Sequence, residues 1–475
     1  VRYFIDATHL TLQLIQQAQK LMNTEVLTAP LQRDATAALS SAKLLSFNLG
    51  MIGDRIFRDA PALLLLIFMT NYLAIPAALA GAAILIPKML IMFVDPLVGT
   101  ISDRLSTRWG RRRPLMLAGA LLASISIVLF FHVPHFDTAF IQACYMSLIV
   151  LLGFTGYSLF SVPYLTLASE IADSDDERRR IMSWRVAFMA VGLCISAYAG
   201  GFMEAIGGGM SGYATMSWVY GGICLITMMA TVMLSGGLRV TQTDSASLSL
   251  TDQVRLVAAN GPYMRLTLVS LLQKISEGVG YTSFAYFCIY VVKQPLSGIG
   301  LVVLASVAGQ IVAQPLWLRA SRHFKPATLY TFGVIGWCIN LLLWLAMKGQ
   351  SEWWLIPLGV QGGIAAGGFL MVTLSMLSNT MAADAARSGV NREGIYSGFW
   401  LATEKLGFAF GTFIVGQMLG LFGFAESSNG GNVPQTSTAI FGIAFTYCGI
   451  NILIYAASII AIRRVDRSVV AAPSR

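Results

Sequence analysis

The chain of 475 residues is 56% hydrophobic, only 12% charged, and carries a formal net charge of +9. A soluble protein would have about a quarter of its residues charged, so a water-soluble globule is excluded. The basic residues gather in short loops between long apolar stretches, where positive charge fixes membrane topology, so the net charge does not point to a nucleic-acid partner.

Continuous apolar runs such as 115–131 and 214–235 match the ~20 residues of a membrane-spanning helix. A membrane barrel would instead alternate in ~10-residue segments. The predicted fold class is an all-α polytopic membrane protein with twelve transmembrane helices in two six-helix bundles. The spans are placed near 45–73, 79–101, 115–134, 138–168, 181–205, 214–237, 263–292, 297–319, 327–347, 353–381, 394–421 and 437–462. The polar stretch 238–262 reads as a cytoplasmic linker between bundles at 45–237 and 263–462. Residues 1–44 read as an N-terminal cytoplasmic extension and 463–475 as a tail. The chain starts at Val1, and Met22 offers another start, so residues 1–21 fit an over-extended reading frame from a GTG codon. No signal-peptide pattern appears there.

Span one carries Asp54, Arg55, Arg58 and Asp59. Their spacing predicts two i,i+4 pairs, Asp54–Arg58 and Arg55–Asp59, in a polar interior. Span two holds Lys88 and Asp95, seven residues apart on one face. An acid inside a membrane helix is a functional candidate by default, here as a coupling residue or as the partner of Lys88. After it come Asp103, Arg104, Arg108, Arg111 and Arg112, a basic loop that marks the cytoplasmic side. Span four contributes Tyr157, Ser158, Ser161 and Tyr164, with hydroxyls and aromatic faces suited to a polar ring. A mixed-charge loop with Glu170, Asp176 and Arg178 precedes Arg185 in span five. In the second half, span seven has Gln273, Lys274, Glu277 and Tyr281, where Lys274 and Glu277 are i,i+3. Span eleven has Trp400, Glu404 and Lys405, with Glu404 a second proton-carrier candidate and a partner for Lys405 or Arg185. Basic residues recur at Arg319, Arg322, Lys325, Arg387, Arg392, Arg463, Arg464 and Arg467, which places both termini in the cytoplasm. Lys293 and Lys348 are the exceptions outside.

Six cysteines lie singly in apolar spans without CxxC spacing, so neither zinc nor a disulfide framework is expected. The four histidines fall in termini or loops. No nucleotide-binding motif, metal cluster or nucleophile–base constellation appears, so no enzyme activity and no cofactor are expected.

A weak internal repeat, Asp95-Pro96-Leu97 against Gln314-Pro315-Leu316, is the pattern of two halves related by an axis along the membrane normal. Four stretches, 69–81, 95–114, 161–185 and 388–407, resemble the glycoside–pentoside–hexuronide:cation symporter family of the major facilitator superfamily. The resemblance covers about 45 to 462. It implies that the family's first sugar-binding aspartate falls on Arg55, beside Asp54, and a second on Ser161. It also implies that Asp95 matches one of two sodium-site carboxylates, that Ile91 and Val94 replace the other carboxylate and a neighbouring amide, and that Ser158 replaces a sodium-binding threonine. The sodium site is thus expected to be degraded, and a lone buried carboxylate beside a lysine favours H⁺ over Na⁺. Arg185 matches an arginine that organises the sugar site, and Lys405 a lysine near cation and sugar. Cytoplasmic-gate contacts are implied between the arginine loop and the 170–178 segment.

The expected function is cation-coupled symport of a sugar or glycoside, such as an anionic hexuronide, by a monomer in a bacterial inner membrane. Coupling is expected through Asp95, Ser158 and Glu404. Substrate binding is expected through Asp54, Arg55, Asp59, Tyr157, Ser161, Tyr164, Arg185, Lys274, Glu277, Tyr281, Trp400 and Lys405. The alternatives are a lysophospholipid or amphiphile transporter on the same fold, and a non-transporting membrane sensor or interaction protein.

Overall fold

The computed structural model describes residues 41–105, 107–171, 175–235, 250–388, 392–427 and 433–470. Among the described residues, sixteen α-helices follow one another. They are α1 Ser41–Asn48, α2 Gly50–Asn71, α3 Ala77–Arg104, α4 Arg113–Phe131, α5 Ala139–Glu170, α6 Asp175–Ala197, α7 Ala199–Ala205 and α8 Gly209–Leu234. Then come α9 Leu250–Ala259, α10 Gly261–Tyr286, α11 Ser297–Ala320, α12 Pro326–Leu345, α13 Leu355–Ser388, α14 Glu393–Leu421, α15 Ser437–Ala444 and α16 Asn451–Val470. π-helical turns, Phe287–Val292 and Phe445–Ile450, extend α10 and join α15 to α16. Local chemistry sets several boundaries. Thr138, Asn260 and Thr436 accept backbone N–H groups at the starts of α5, α10 and α15. Proline opens α4, α10 and α12, where its missing N–H costs nothing.

Among the described residues, nine helices are long and apolar enough to cross a membrane. Three more rods, α2, α10 and α14, are long enough at 22, 26 and 29 residues but more polar. These three carry the charged residues of spans one, seven and eleven. Their polarity is sheltered: α2 is buried along nearly its whole length. It packs against α6, α8 and α10, while α14 packs against α10 and α3.

In lipid, helices associate through close packing rather than hydrophobic expulsion, so small residues mark the seams. Gly278 of α10 meets α14 so closely that a Cβ there would lie 2.3 Å from the Phe408 carbonyl oxygen. Likewise, a Cβ on Gly416 of α14 would lie 2.6 Å from the Ala77 oxygen and 2.9 Å from the Gly81 Cα of α3.

Apart from the bond between Lys405 and Asp95, the hydrogen bonds seen between α2–α8 and α10–α16 among the described residues gather at one end. Tyr286 and Thr70 share a bond of 2.8 Å, and Asn71 donates to the Tyr290 hydroxyl at 2.8 Å. Ala74 and Thr70 exchange backbone bonds with Ser427, and the Glu426 carboxylate accepts from the Ala77 N–H at 3.0 Å. Gln417 donates to the Ala78 carbonyl, and Glu204 accepts from the Leu296 N–H. This end is latched shut.

Two details of local structure add to the expected spans. The stretch read as a polar linker over 238–262 contains α9 and the start of α10, because LTDQVRLVAA has helical spacing of its apolar residues. Residues 238–249 of it lie outside the described residues, as do residues 1–40 of the extension and 471–475 of the tail. Span one begins with a separate short helix, α1, before Gly50.

Candidate functional site

The charged residues of α2 form one knot rather than two parallel pairs. Asp59 takes both arginines: Arg58 Nε donates at 3.0 Å, and Arg55 Nη1 lies 3.4 Å away. Arg58 therefore binds its neighbour Asp59, not Asp54 one turn back as the spacing predicts. Arg55 lies against α6, where a Cβ on Gly192 would come within 2.7 Å of its own Cβ. The Arg55 Nε and Nη1 and the Asp59 Oδ2 are buried without hydrogen-bond partners. Asp54 is buried and faces the Tyr157 hydroxyl, with Arg58 and Arg185 as its electrostatic neighbours. Arg185 reaches from α6 over the ring of Tyr164, 5.6 Å from its centroid. Tyr164 itself is fully buried and donates to Asn48. Ser161 is half-buried and has no hydrogen-bond partner among the described residues.

On the other side, Lys274 of α10 bonds Glu277 at 2.8 Å, as i,i+3 spacing allows, and also lies 3.6 Å from Glu404 of α14. Trp400 donates its indole N–H to Glu404 at 3.2 Å. Glu404 is therefore spent on Lys274 and Trp400, not on Lys405 or Arg185. Residues 404 and 405 point about 100° apart on a helix of 3.6 residues per turn, so one carboxylate and the next ammonium serve different neighbours. Tyr281 lies in the field of Asp59, Arg58 and Glu277 and packs edge-on to Phe408.

The two sides meet at Asp95. Lys405 of α14 forms an ion pair with Asp95 Oδ2 of α3, and Ser158 of α5 donates to Asp95 Oδ1. The Lys405 ammonium also lies 5.6 Å from the centroid of Tyr157. Tyr157 thus bridges the Asp54 carboxylate and the Asp95–Lys405 pair, its ring stacked on Phe57. The partner expected for Asp95, Lys88, is elsewhere. Its Nζ lies 4.9 Å from the ring of Phe154 and 5.6 Å from that of Phe408. Ile91 is buried and Val94 half-buried on the same helix, and neither supplies a side-chain oxygen.

Of the residues expected at a cytoplasmic gate, the side chains of Asp103, Glu170, Asp176 and Arg178 lie outside the described residues. Arg104 and Arg108 are exposed. Arg112 is buried and donates to the Ser102 hydroxyl at 3.1 Å. The adjacent Arg113 ties the start of α4 to the Ser235 carbonyl at the end of α8, a contact that no sequence motif announced. The latch of Thr70, Asn71, Tyr286 and Tyr290 was also unread, since isolated hydroxyls and amides in apolar helices carry no periodic signal. Among the described residues, no group of histidine, cysteine, aspartate or glutamate side chains is arranged to hold a metal ion.

Residues 46–466 match the MFS/sugar transport protein family. The glucuronide carrier protein homolog of Escherichia coli is 25% identical over 437 residues, covering 88% of this chain and 91% of that protein. The inner membrane symporter YicJ of the same organism is 24% identical over 431 residues, covering 86% and 89%. Among solved structures, a bacterial homolog of the human lysosomal transporter Spinster superposes with a TM-score of 0.63 at 14% identity, covering 90% of this chain and 95% of that one. Eleven ionisable groups on five helices converge inside this fold, and none of them makes a nucleophile–base pair. The chain is a multi-pass inner-membrane transporter of the major facilitator superfamily and belongs to its glycoside–pentoside–hexuronide:cation symporter family.

Proposed function

We propose that the protein couples the entry of a sugar or glycoside, preferably an anionic one such as a hexuronide, to the entry of a proton by alternating access. The observation that carries this reading is the ion pair between Asp95 of α3 and Lys405 of α14, completed by Ser158. A sodium ion would need several hard oxygen ligands around Asp95. Both carboxylate oxygens are instead engaged by an ammonium and a hydroxyl, and Ile91 and Val94 add none. The Lys405 charge stands where a sodium charge would be needed.

A proton fits the same geometry. Protonation of Asp95 removes the charge that holds Lys405 and loosens the tie between α3 and α14. The freed ammonium then offers a charge-assisted hydrogen bond to a substrate oxygen. Substrate binding and protonation favour each other, because each takes one member of the pair away from the other. Such coupling is reciprocal by linkage. Two bundles, 45–237 and 263–462, would rock around this point near mid-membrane. The basic loops support a periplasmic latched end and cytoplasmic termini. The chain acts as a monomer in this reading, since the site is complete within one copy.

The test is uptake of methyl glucuronide into proteoliposomes. Replacing sodium by choline leaves uptake unchanged, and a protonophore reduces it. A strict sodium requirement would refute proton coupling.

A further inference from the structure

One charge is left over by these pairings. The interior holds six cations, Arg55, Arg58, Lys88, Arg185, Lys274 and Lys405, against five carboxylates, Asp54, Asp59, Asp95, Glu277 and Glu404. Asp59 serves Arg55 and Arg58, Glu277 and Glu404 serve Lys274, Asp95 serves Lys405, and Asp54 lies in the field of Arg185. Among the described residues, no acidic side chain forms an ion pair with Lys88. An unpaired ammonium in a membrane helix is costly and is kept where it meets a ligand or another charge. Two ring faces, Phe154 and Phe408, cage the Lys88 ammonium without neutralising it.

Lys88 also shares a crevice with Arg58, lined further by Ile84, Phe154 and Thr412. Arg58 commits its Nε to Asp59, and its side chain remains 44% exposed. Two cationic groups therefore face one space from α2 and α3. The crevice measures about 10 Å³ here, the room of one water, so an acidic group enters as α3 and α14 part.

We propose that Lys88 and Arg58 form the subsite for the acidic group of the substrate, a carboxylate or sulfonate, with Phe154 and Phe408 as its apolar walls. This rests on the transporter reading above and makes Lys88 the residue that selects charge. A forked guanidinium and a point ammonium recognise one oxyanion from two sides.

The test compares methyl glucuronide with methyl glucoside, which differ in one carboxylate, on the purified full-length protein by calorimetry and by uptake. Wild type binds the glucuronide ~10-fold or more tighter. Lys88→Met lowers glucuronide affinity ~10-fold or more and leaves glucoside affinity within about twofold, while Lys88→Arg restores much of the preference. Its melting temperature does not fall, because removing an unpaired ammonium relieves burial of a charge. If K88M fails to fold, K88Q is read by the same criteria. An unchanged preference in the variant overturns the assignment, as does a wild type that binds both ligands equally. A wild type that carries only the glucoside overturns the subsite and leaves the transporter reading standing. A wild type that binds and carries neither overturns both.

Discussion

Replacing Lys405 by methionine removes the only counter-ion bonded to Asp95 among the described residues while keeping an unbranched side chain one atom shorter. Asp95 retains the Ser158 hydroxyl but loses its ion pair. Breaking a fully buried pair costs ~3–5 kcal/mol, and an exposed pair is worth ~0.2–1 kcal/mol. The Asp95 side chain is 20% exposed and that of Lys405 39%, so solvent screens part of the interaction. An intermediate loss of ~1–3 kcal/mol is expected. Because the pair ties α3 to α14, the same energy shifts the balance between transport states by ~5- to 150-fold. The assay is a double-mutant cycle of Lys405→Met, Asp95→Asn and both, read by unfolding in detergent. Asp95→Asn in the Lys405→Met background recovers most of the loss, because the uncompensated carboxylate is gone. Additivity of the two single changes within ~0.5 kcal/mol would show that the pair carries no coupling and refute the reasoning.

Two further outcomes follow from the packing. Gly416→Leu places a side chain where 2.6 Å separates a Cβ from the Ala77 oxygen, so it forces α3 and α14 apart at the latched end. A cysteine reporter at Ile75, buried in the parent protein, then reacts faster with a membrane-impermeant maleimide; an unchanged rate would contradict the latch. Lys274→Met leaves Glu277 and Glu404 without their ammonium and lowers the yield of folded protein, and adding Glu404→Gln recovers part of it. A recovery absent in the double variant would show that Lys274 and Glu404 do not act as a pair.

Most of the fold was legible, because helices in lipid must be long and apolar and their basic flanks mark the loops. The helices hardest to place by hydropathy, α2, α10 and α14, carry eight of the eleven charged residues of the site. Their charges could be found in the sequence, and so could the in-helix pairs Arg55–Asp59 and Lys274–Glu277, but not the partners across helices. Lys88 and Asp95 share a face, yet seven residues separate them by about 10.5 Å along the helix axis, so they do not touch. The true partner, Lys405, is 310 residues away. The i,i+4 rule assigned Arg58 to Asp54, but a long guanidinium bends to the adjacent Asp59. Glu404 turned to Lys274 because neighbouring residues on a helix face different directions. Local spacing sees pairs within a helix, whereas a transport site is assembled between helices.

The role of Asp95 is tested most directly by comparing two modes of transport in one variant. In proteoliposomes with an imposed pH gradient and no sodium, wild type concentrates methyl glucuronide. Asp95→Asn carries out counterflow exchange of the same compound but no longer concentrates it. Accumulation by Asp95→Asn at the wild-type level would contradict the assignment of Asp95 as the coupling residue.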